Sequence, residues 1–128
     1  MPAPCPCESG LDYDACCGRF IEGDRKPDTA EQLMRSRYTA FTLDRISYLE
    51  KTRHATTRPA SIETNDKARW IGLRIRHTER GGVEDADGIV EFVARYKIDG
   101  RGHRLHEISR FVKENGQWLY VDGELLPK

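Results

Sequence analysis

Cysteine is missing from the last 111 residues of this 128-residue chain, and tryptophan and methionine occur only twice each. No stretch approaches the ~20 consecutive apolar residues of a membrane-spanning helix. Net charge is absent as well: 21 Lys and Arg stand against 21 Asp and Glu. The first scarcity confines thiol chemistry to one end, the second excludes a helical membrane protein by composition, and the third argues against a dedicated nucleic-acid binder, which would carry a basic excess. The opening Met1-Pro2-Ala3-Pro4-Cys5 has neither a basic stretch nor an apolar core, so no secretory signal is expected and a cytoplasmic location is the working expectation. At 38% hydrophobic and 33% charged, the composition is globular, and the length suits one domain with a small appendage.

The balanced charge hides an uneven distribution. Residues 51–80 hold eight basic and three acidic side chains, whereas the flanking segments are slightly acidic. Such a stretch can steer an acidic partner, or it can simply be a solvated face whose arginine stems lie over apolar neighbours.

All four cysteines fall between positions 5 and 17, which divides the chain into a Cys-rich knot (1–22) and a Cys-free body (23–128). The body opens with a helix: Asp28 and Thr29 are candidate N-caps, Thr29-Ala30-Glu31-Gln32 fits a capping box, and Ala30, Leu33, Met34, Tyr38 and Phe41 recur at helical spacing. Asp44 is expected to cap a second short helix carrying Ile46 and Leu49, and Ser61–Arg69 a third. From Trp70 the period becomes two, with Ile71, Leu73, Ile75 and His77 on one face of a strand. Strands are expected at Ile89–Ile98, His103–Lys113 and Gln117–Asp122, the last pair joined by Asn115-Gly116, the strongest short hairpin signal. Helices followed by an antiparallel meander make an α+β fold.

Register then decides which residues share a face. A two-residue Asn115-Gly116 loop sets Phe111 opposite Tyr120 and Ser109 opposite Asp122. The helix-covered face then carries Val90, Phe92, Ala94, Tyr96, His103, Glu107, Ser109, Phe111, Trp118, Tyr120 and Asp122. Glu107 and Asp122 become diagonal neighbours ~7 Å apart, a pair able to divide acid and base roles in an apolar cavity. The bland alternative is that Glu107 pairs with Arg35 or Arg37 on the covering helix, because buried charges are normally paired. The candidate pocket residues are therefore Tyr96, Glu107, Ser109, Tyr120 and Asp122. His77, His103 and His106 lie at no metal-ligand spacing, and His54 is expected at the surface.

Cys5, Cys7, Cys16 and Cys17 follow a C-x-C-x8-C-C spacing that lets four thiols converge on one tetrahedral ion. Zn²⁺ is the expected choice, and four protein ligands leave no open position, so the ion is structural and not catalytic. The competing reading, two disulfides, is opposed by the strain of pairing adjacent Cys16 and Cys17 and by the absence of an export signal. Arg19 is placed to offset part of the thiolate charge.

Cys5–Gly18 resembles the SEC-C motif, the zinc-binding tail of the translocation ATPase SecA, whose pattern is C-P-C-G-S-G-K-x-Y-x-x-C-[CH]-G. Ser9, Gly10, Tyr13 and Gly18 match its frame, while Glu8 replaces the usual Gly and Leu11 the usual Lys. Thr29–Tyr38, Trp70–Leu73, Val90–Ala94, His106–Phe111 and Trp118–Gly123 resemble the bacterial YchJ-like family, which joins a SEC-C motif to a nuclear transport factor 2-like domain. The resemblance implies N-terminal helices over a bent antiparallel sheet with a cone-shaped cavity. It also implies a protein partner held by the knot through Glu8, Leu11, Asp12 and Tyr13, as the SecA tail holds the chaperone SecB and phospholipid. A non-catalytic adaptor is the favoured expectation; the alternative is a small-molecule site, or a hydrolase- or isomerase-type enzyme, in the cone. A monomer and a homodimer paired through Arg95, His106 and Arg110 are both compatible with this reading.

Overall fold

A computed structural model describes residues 4–56 and 69–126. The helix expected over Ser61–Arg69 lies almost wholly outside the described residues, and Arg69 itself begins a strand.

After a 3₁₀ turn at Tyr13–Ala15, the chain forms α1 (Gly18–Ile21), α2 (Ala30–Thr42) and α3 (Ile46–Lys51), then strands β1 (Arg69–Arg80), β2 (Asp87–Ile98), β3 (Arg101–Glu114) and β4 (Gln117–Leu125). The strands form one antiparallel sheet in sequence order. The α+β expectation holds.

The start of α2 is set by Thr29, whose side chain accepts from the Gln32 amide at 3.1 Å, a cap worth about 1 kcal/mol. Gln32 completes the entry by accepting from the Asp28 N–H at 2.7 Å, one residue earlier than a capping box requires. Because the knot and α3 flank it as well as the sheet, α2 buries two faces. Leu33, Met34 and Tyr38 join the main core, while Ala40 packs with Phe20, Tyr48 and Leu49 in a second cluster.

Asp44 does not cap α3; that position is Arg45, with no side-chain cap. Asp44 instead takes a left-handed backbone (φ 57°) that closes α2. The Asp44 amide donates to the Phe41 carbonyl and the Arg45 amide to that of Ala40, the paired bonds of a Schellman ending. Asp44 thus serves, through its backbone, the helix behind it and not the one ahead.

In the sheet, Asn115-Gly116 and Asp99-Gly100 both form two-residue hairpins with positive φ at each residue, matching the twist of the flanking strands. Phe111 pairs with Tyr120 as expected, but a bulge follows. Beyond it Asp122 stands opposite Arg110, and Ser109 opposite Gly123. One extra residue has turned Asp122 to the outer face. β1 carries two bulges of its own. The first puts Trp70, not Ile71, on the covered face and leaves Ile71 46% exposed; the second turns His77 outward, opposite Glu91. Val90, Phe92, Ala94, Phe111 and Trp118 are buried beneath the helices.

Candidate functional site

Two sites emerge, one of sulfur and one of oxygen. Cys5, Cys7, Cys16 and Cys17 are buried free thiols whose Sγ atoms all lie within 4.8 Å of one another. Cys7 and Cys16 approach to 3.7 Å, and Cys16 and Cys17 to 3.9 Å. Thiolates at ~2.3 Å from a tetrahedral ion stand ~3.8 Å apart, so the quartet has the dimensions of a metal cage. The backbone makes this convergence possible by placing Glu8 (φ 62°) and Gly10 (φ 91°) in left-handed conformations, which lets the chain return on itself.

Further donors surround the sulfurs. The Thr39 hydroxyl, fully buried on α2, donates to Cys17 Sγ at 3.3 Å and lies 3.7 Å from Cys5 Sγ, while Ser9 Oγ is 3.1 Å from Cys16 Sγ. Hydroxyls aimed at sulfur orient and partly neutralise thiolates. The thiols also perturb one another. Hydrogen bonds from Cys17 and Cys7 pull the Cys5 thiol well below its ordinary value, whereas Cys5 and Cys7, with burial, push Cys17 up. Such a set gives up protons readily once a cation shares the cage.

The knot is tied into the body at two further points. Arg35 Nη1 donates to the Cys7 carbonyl at 2.8 Å while its Nε holds Glu31 at 3.0 Å. Glu8 reaches the edge of β1, where its carboxylate accepts from the Leu73 amide at 2.6 Å. Within the knot, Arg19 donates to the Cys16 carbonyl, near the cysteines as expected. Of the four residues expected to form a recognition surface, Leu11 and Asp12 are exposed, Glu8 is occupied by Leu73, and Tyr13 is half-buried against the core.

The oxygen site is a cavity of about 290 Å³ between α2 and the sheet. Met34, Tyr38, Phe41, Trp70, Phe92 and Leu105 give it apolar walls; Arg37, Arg53, Glu107, Ser109 and Tyr120 contribute its polar groups. Glu107, Ser109 and Tyr120 are thus brought together as expected. Asp122 is not, being on the outer face in a bidentate pair with Arg110 (2.6 and 2.5 Å), and the paired-carboxylate arrangement does not form. Tyr96 does not line the cavity either; it packs against Trp70 and stacks on His103.

Ser109 Oγ donates to Glu107 Oε2, and Tyr120 Oη donates to the same oxygen at 3.3 Å. A side chain at Gly123 would collide with this carboxylate, so a glycine lies beneath it. Neither Arg35 nor Arg37 forms the expected ion pair with Glu107. Arg35 serves the knot, and Arg37, 4% exposed, donates to the Leu49 carbonyl (2.9 Å) and Thr52 Oγ1 (2.7 Å) while lying over the Tyr120 ring. Burial pulls Arg37 down to about 10, so it stays charged at neutral pH. Burial, then the nearby Glu107 carboxylate, pushes the Tyr120 phenol up to about 12, keeping it a donor.

The histidines take ordinary places. His54 is half-buried and meets Glu114, His77 meets Glu79, and His106 meets Glu91. The roles of Thr39 and Arg53 carry no local sequence signal, since only tertiary packing brings them to the sites. No helix among the described residues is long and apolar enough to cross a membrane.

Against known proteins, residues 1–19 match the SEC-C motif and residues 29–123 match the family described as YchJ, middle NTF2-like domain. A UPF0225 protein of Cupriavidus metallidurans is 50% identical, covering 97% of this chain and 90% of its own. Another, from Methylibium petroleiphilum, is 52% identical, with 98% and 91% covered. The solution structure of a SEC-C motif containing protein from Rhodopseudomonas palustris superimposes with a TM-score of 0.84 at 32% identity, over 96% of this chain and 98% of that one. A crystal structure of a SEC-C motif containing protein from Psychrobacter arcticus gives 0.76 at 26% identity, over 97% and 83%. With a cysteine quartet at one end and a YchJ-type cone over most of its length, this chain belongs to the UPF0225 family of SEC-C motif proteins.

Proposed function

We propose that this protein is a non-catalytic small-molecule-binding module whose knot (1–22) carries one structural Zn²⁺ and braces the body (23–128). The observation that carries the binding reading is Glu107: both protein donors fall on Oε2, leaving Oε1 without a partner among the described residues in a cavity walled mostly by apolar side chains and shared with Arg37 and Arg53. A ligand with an apolar body and one hydrogen-bond donor fits such a site, where a few polar groups orient what aromatic walls hold. With Asp122 on the other face, no second carboxylate among the described residues lines the cavity to share acid–base work, which favours binding over turnover.

The test is a screen of small amphipathic alcohols, amides and amines, read by the fluorescence of Trp70 and by thermal shift. Ligands found with the wild type should be lost in Ala94→Leu, which fills the cavity, and weakened about tenfold by Glu107→Gln. Ligands bound equally by Ala94→Leu, or no ligand at millimolar concentration, would sink the reading. For the metal, elemental analysis should give one zinc per chain with all four thiols shielded from alkylation; two disulfides and no metal would overturn the assignment.

A second reading, an adaptor that grips a protein partner through the knot, is supported by the exposure of Leu11 (51%) beside Asp12 and Asp14. It requires that Leu11→Asp abolish capture of a defined partner without loss of metal. Undiminished capture would dismiss it.

A further inference from the structure

The outer face of the sheet is divided in its charge. Toward one end every base has met an acid: His106 with Glu91 at 2.7 Å, Arg110 with Asp122, and Arg80 with Asp87 at 2.5 Å. Toward the other end the register sets Arg95 directly opposite Arg104, with Gly72 on its other side. Arg74 stands next along β1 opposite Val93, and Arg76 sits in the second β1 bulge. The side chains of Arg74, Arg76, Arg95 and Arg104 make no ion pair or hydrogen bond among the described residues. They line a groove of about 530 Å³ with Ile71 and Val93 among its apolar residues. The acidic residue at its rim, Glu8, has its carboxylate engaged by the Leu73 amide.

Like charges directly opposite one another across paired strands are destabilising. The same sheet avoids this at its other end. We propose that the arginine groove is a docking surface for an extended acidic segment of a protein partner, distinct from the cavity and from the cysteine quartet, and bordered by the knot at Glu8. Charge complementarity selects the occupant: arginine forks match carboxylates bidentately, and a local basic patch on a chain of zero net charge steers an acidic partner toward it. Ile71, pushed outward by the first bulge, supplies an apolar anchor for the partner's backbone or side chains. No aromatic ring lines the groove, so it lacks the stacking platform that single-stranded nucleic acid uses.

The experiment is fluorescence anisotropy with a labelled deca-glutamate peptide and the zinc-loaded full chain in low-salt buffer. Two double variants make the same change in net charge: Arg95→Glu with Arg104→Glu in the groove, and Arg80→Glu with Arg110→Glu in the neutralised half. Circular dichroism and Tm verify that both fold. The groove variant should lose at least about tenfold in affinity while the other changes less than about twofold, and added salt should weaken wild-type binding. Equal losses in both variants would show that net charge alone acts, overturning the proposal. So would failure of the wild type to bind. Tighter, Arg95- and Arg104-dependent binding of oligo-dT or of anionic phospholipid vesicles would overturn the acidic-protein assignment in favour of those polyanions.

Discussion

The knot and the cavity both hold polar atoms in apolar surroundings, yet they resolve the problem in opposite ways. In the knot, four sulfurs face one another and are backed by the hydroxyls of Ser9 and Thr39, so every ligand is committed inward. In the cavity, Glu107 is satisfied on one oxygen and, among the described residues, open on the other. A closed constellation stabilises and an open one binds, because only an unspent donor or acceptor has something to offer a ligand. On the proposed function the knot therefore bears on folding and the cavity on recognition, and the two can be separated by experiment.

Removing the metal should produce the largest effect. Structural zinc contributes about 10 kcal/mol in small metal-dependent folds. Here the cysteines belong to the same core cluster as Leu33, Tyr38, Phe92 and Trp118. Chelation, or Cys17→Ser, should therefore lower the Tm of the body and the knot together in a single transition, followed by the near-ultraviolet dichroism of Trp70 and Trp118. A body that melts within a few degrees of its metal-loaded Tm would break the comparison by making the knot an independent appendage.

Within the body, the same contrast predicts unequal costs at neighbouring positions. Arg37→Ala removes a buried guanidinium that satisfies Leu49 and Thr52 and covers Tyr120, and should cost about 3 kcal/mol by urea denaturation. Glu107→Gln changes only the chemistry facing the cavity and should cost less than about 1 kcal/mol. If the order were reversed, Glu107 would be holding the structure together and the open site would be a packing feature.

Much of this was legible in the sequence. Thr29 capped its helix, Asn115-Gly116 set its hairpin, and the cysteine spacing converged, because each is a local signal whose geometry is decided within a few residues. What misled was accumulated register. The bulge before Asp122 and the two bulges in β1 reverse every following side chain, and no residue type announces them. Asp44 shows the same limit at a helix boundary: a residue suited to begin one helix was taken to end another. Thr39, Arg35 and Glu8 acquire their roles at the knot only once α2 and β1 have been packed against it.

Glu8 offers a smaller test of how the two regions are joined. Its backbone is left-handed, which a glycine would adopt without strain, but its carboxylate holds the Leu73 amide. Glu8→Ala keeps the strain and loses the bond, and should cost about 1–2 kcal/mol. Glu8→Gly loses the same bond but relieves the backbone, so it should fall below Glu8→Ala in cost and come close to neutral. Amide exchange at Leu73 should quicken in both. Equal costs for the two variants would mean that the left-handed backbone carries no strain here.

The last effect belongs to the body alone and lies at high pH. Burial is the leading cause that pushes Tyr38, Tyr48 and Tyr120 each up to about 12. In the unfolded chain phenols ionise near 10. Between these values the unfolded state binds fewer protons than the folded one, so stability is fully present below about pH 10 and falls as pH rises through the folded values. Arg37 opposes this with one group, since its folded value of about 10 lies below the unfolded one and adds stability over the same window. Three groups against one leave a net loss on the order of 1 kcal/mol by pH 10.5. Urea midpoints from pH 8 to 11 should stay level and then drop, and Tyr120→Phe should reduce the drop without moving the metal content. A level profile through pH 11 would show that these phenols reach solvent, and with it that the cavity wall beside Glu107 is wetter than its aromatic lining implies.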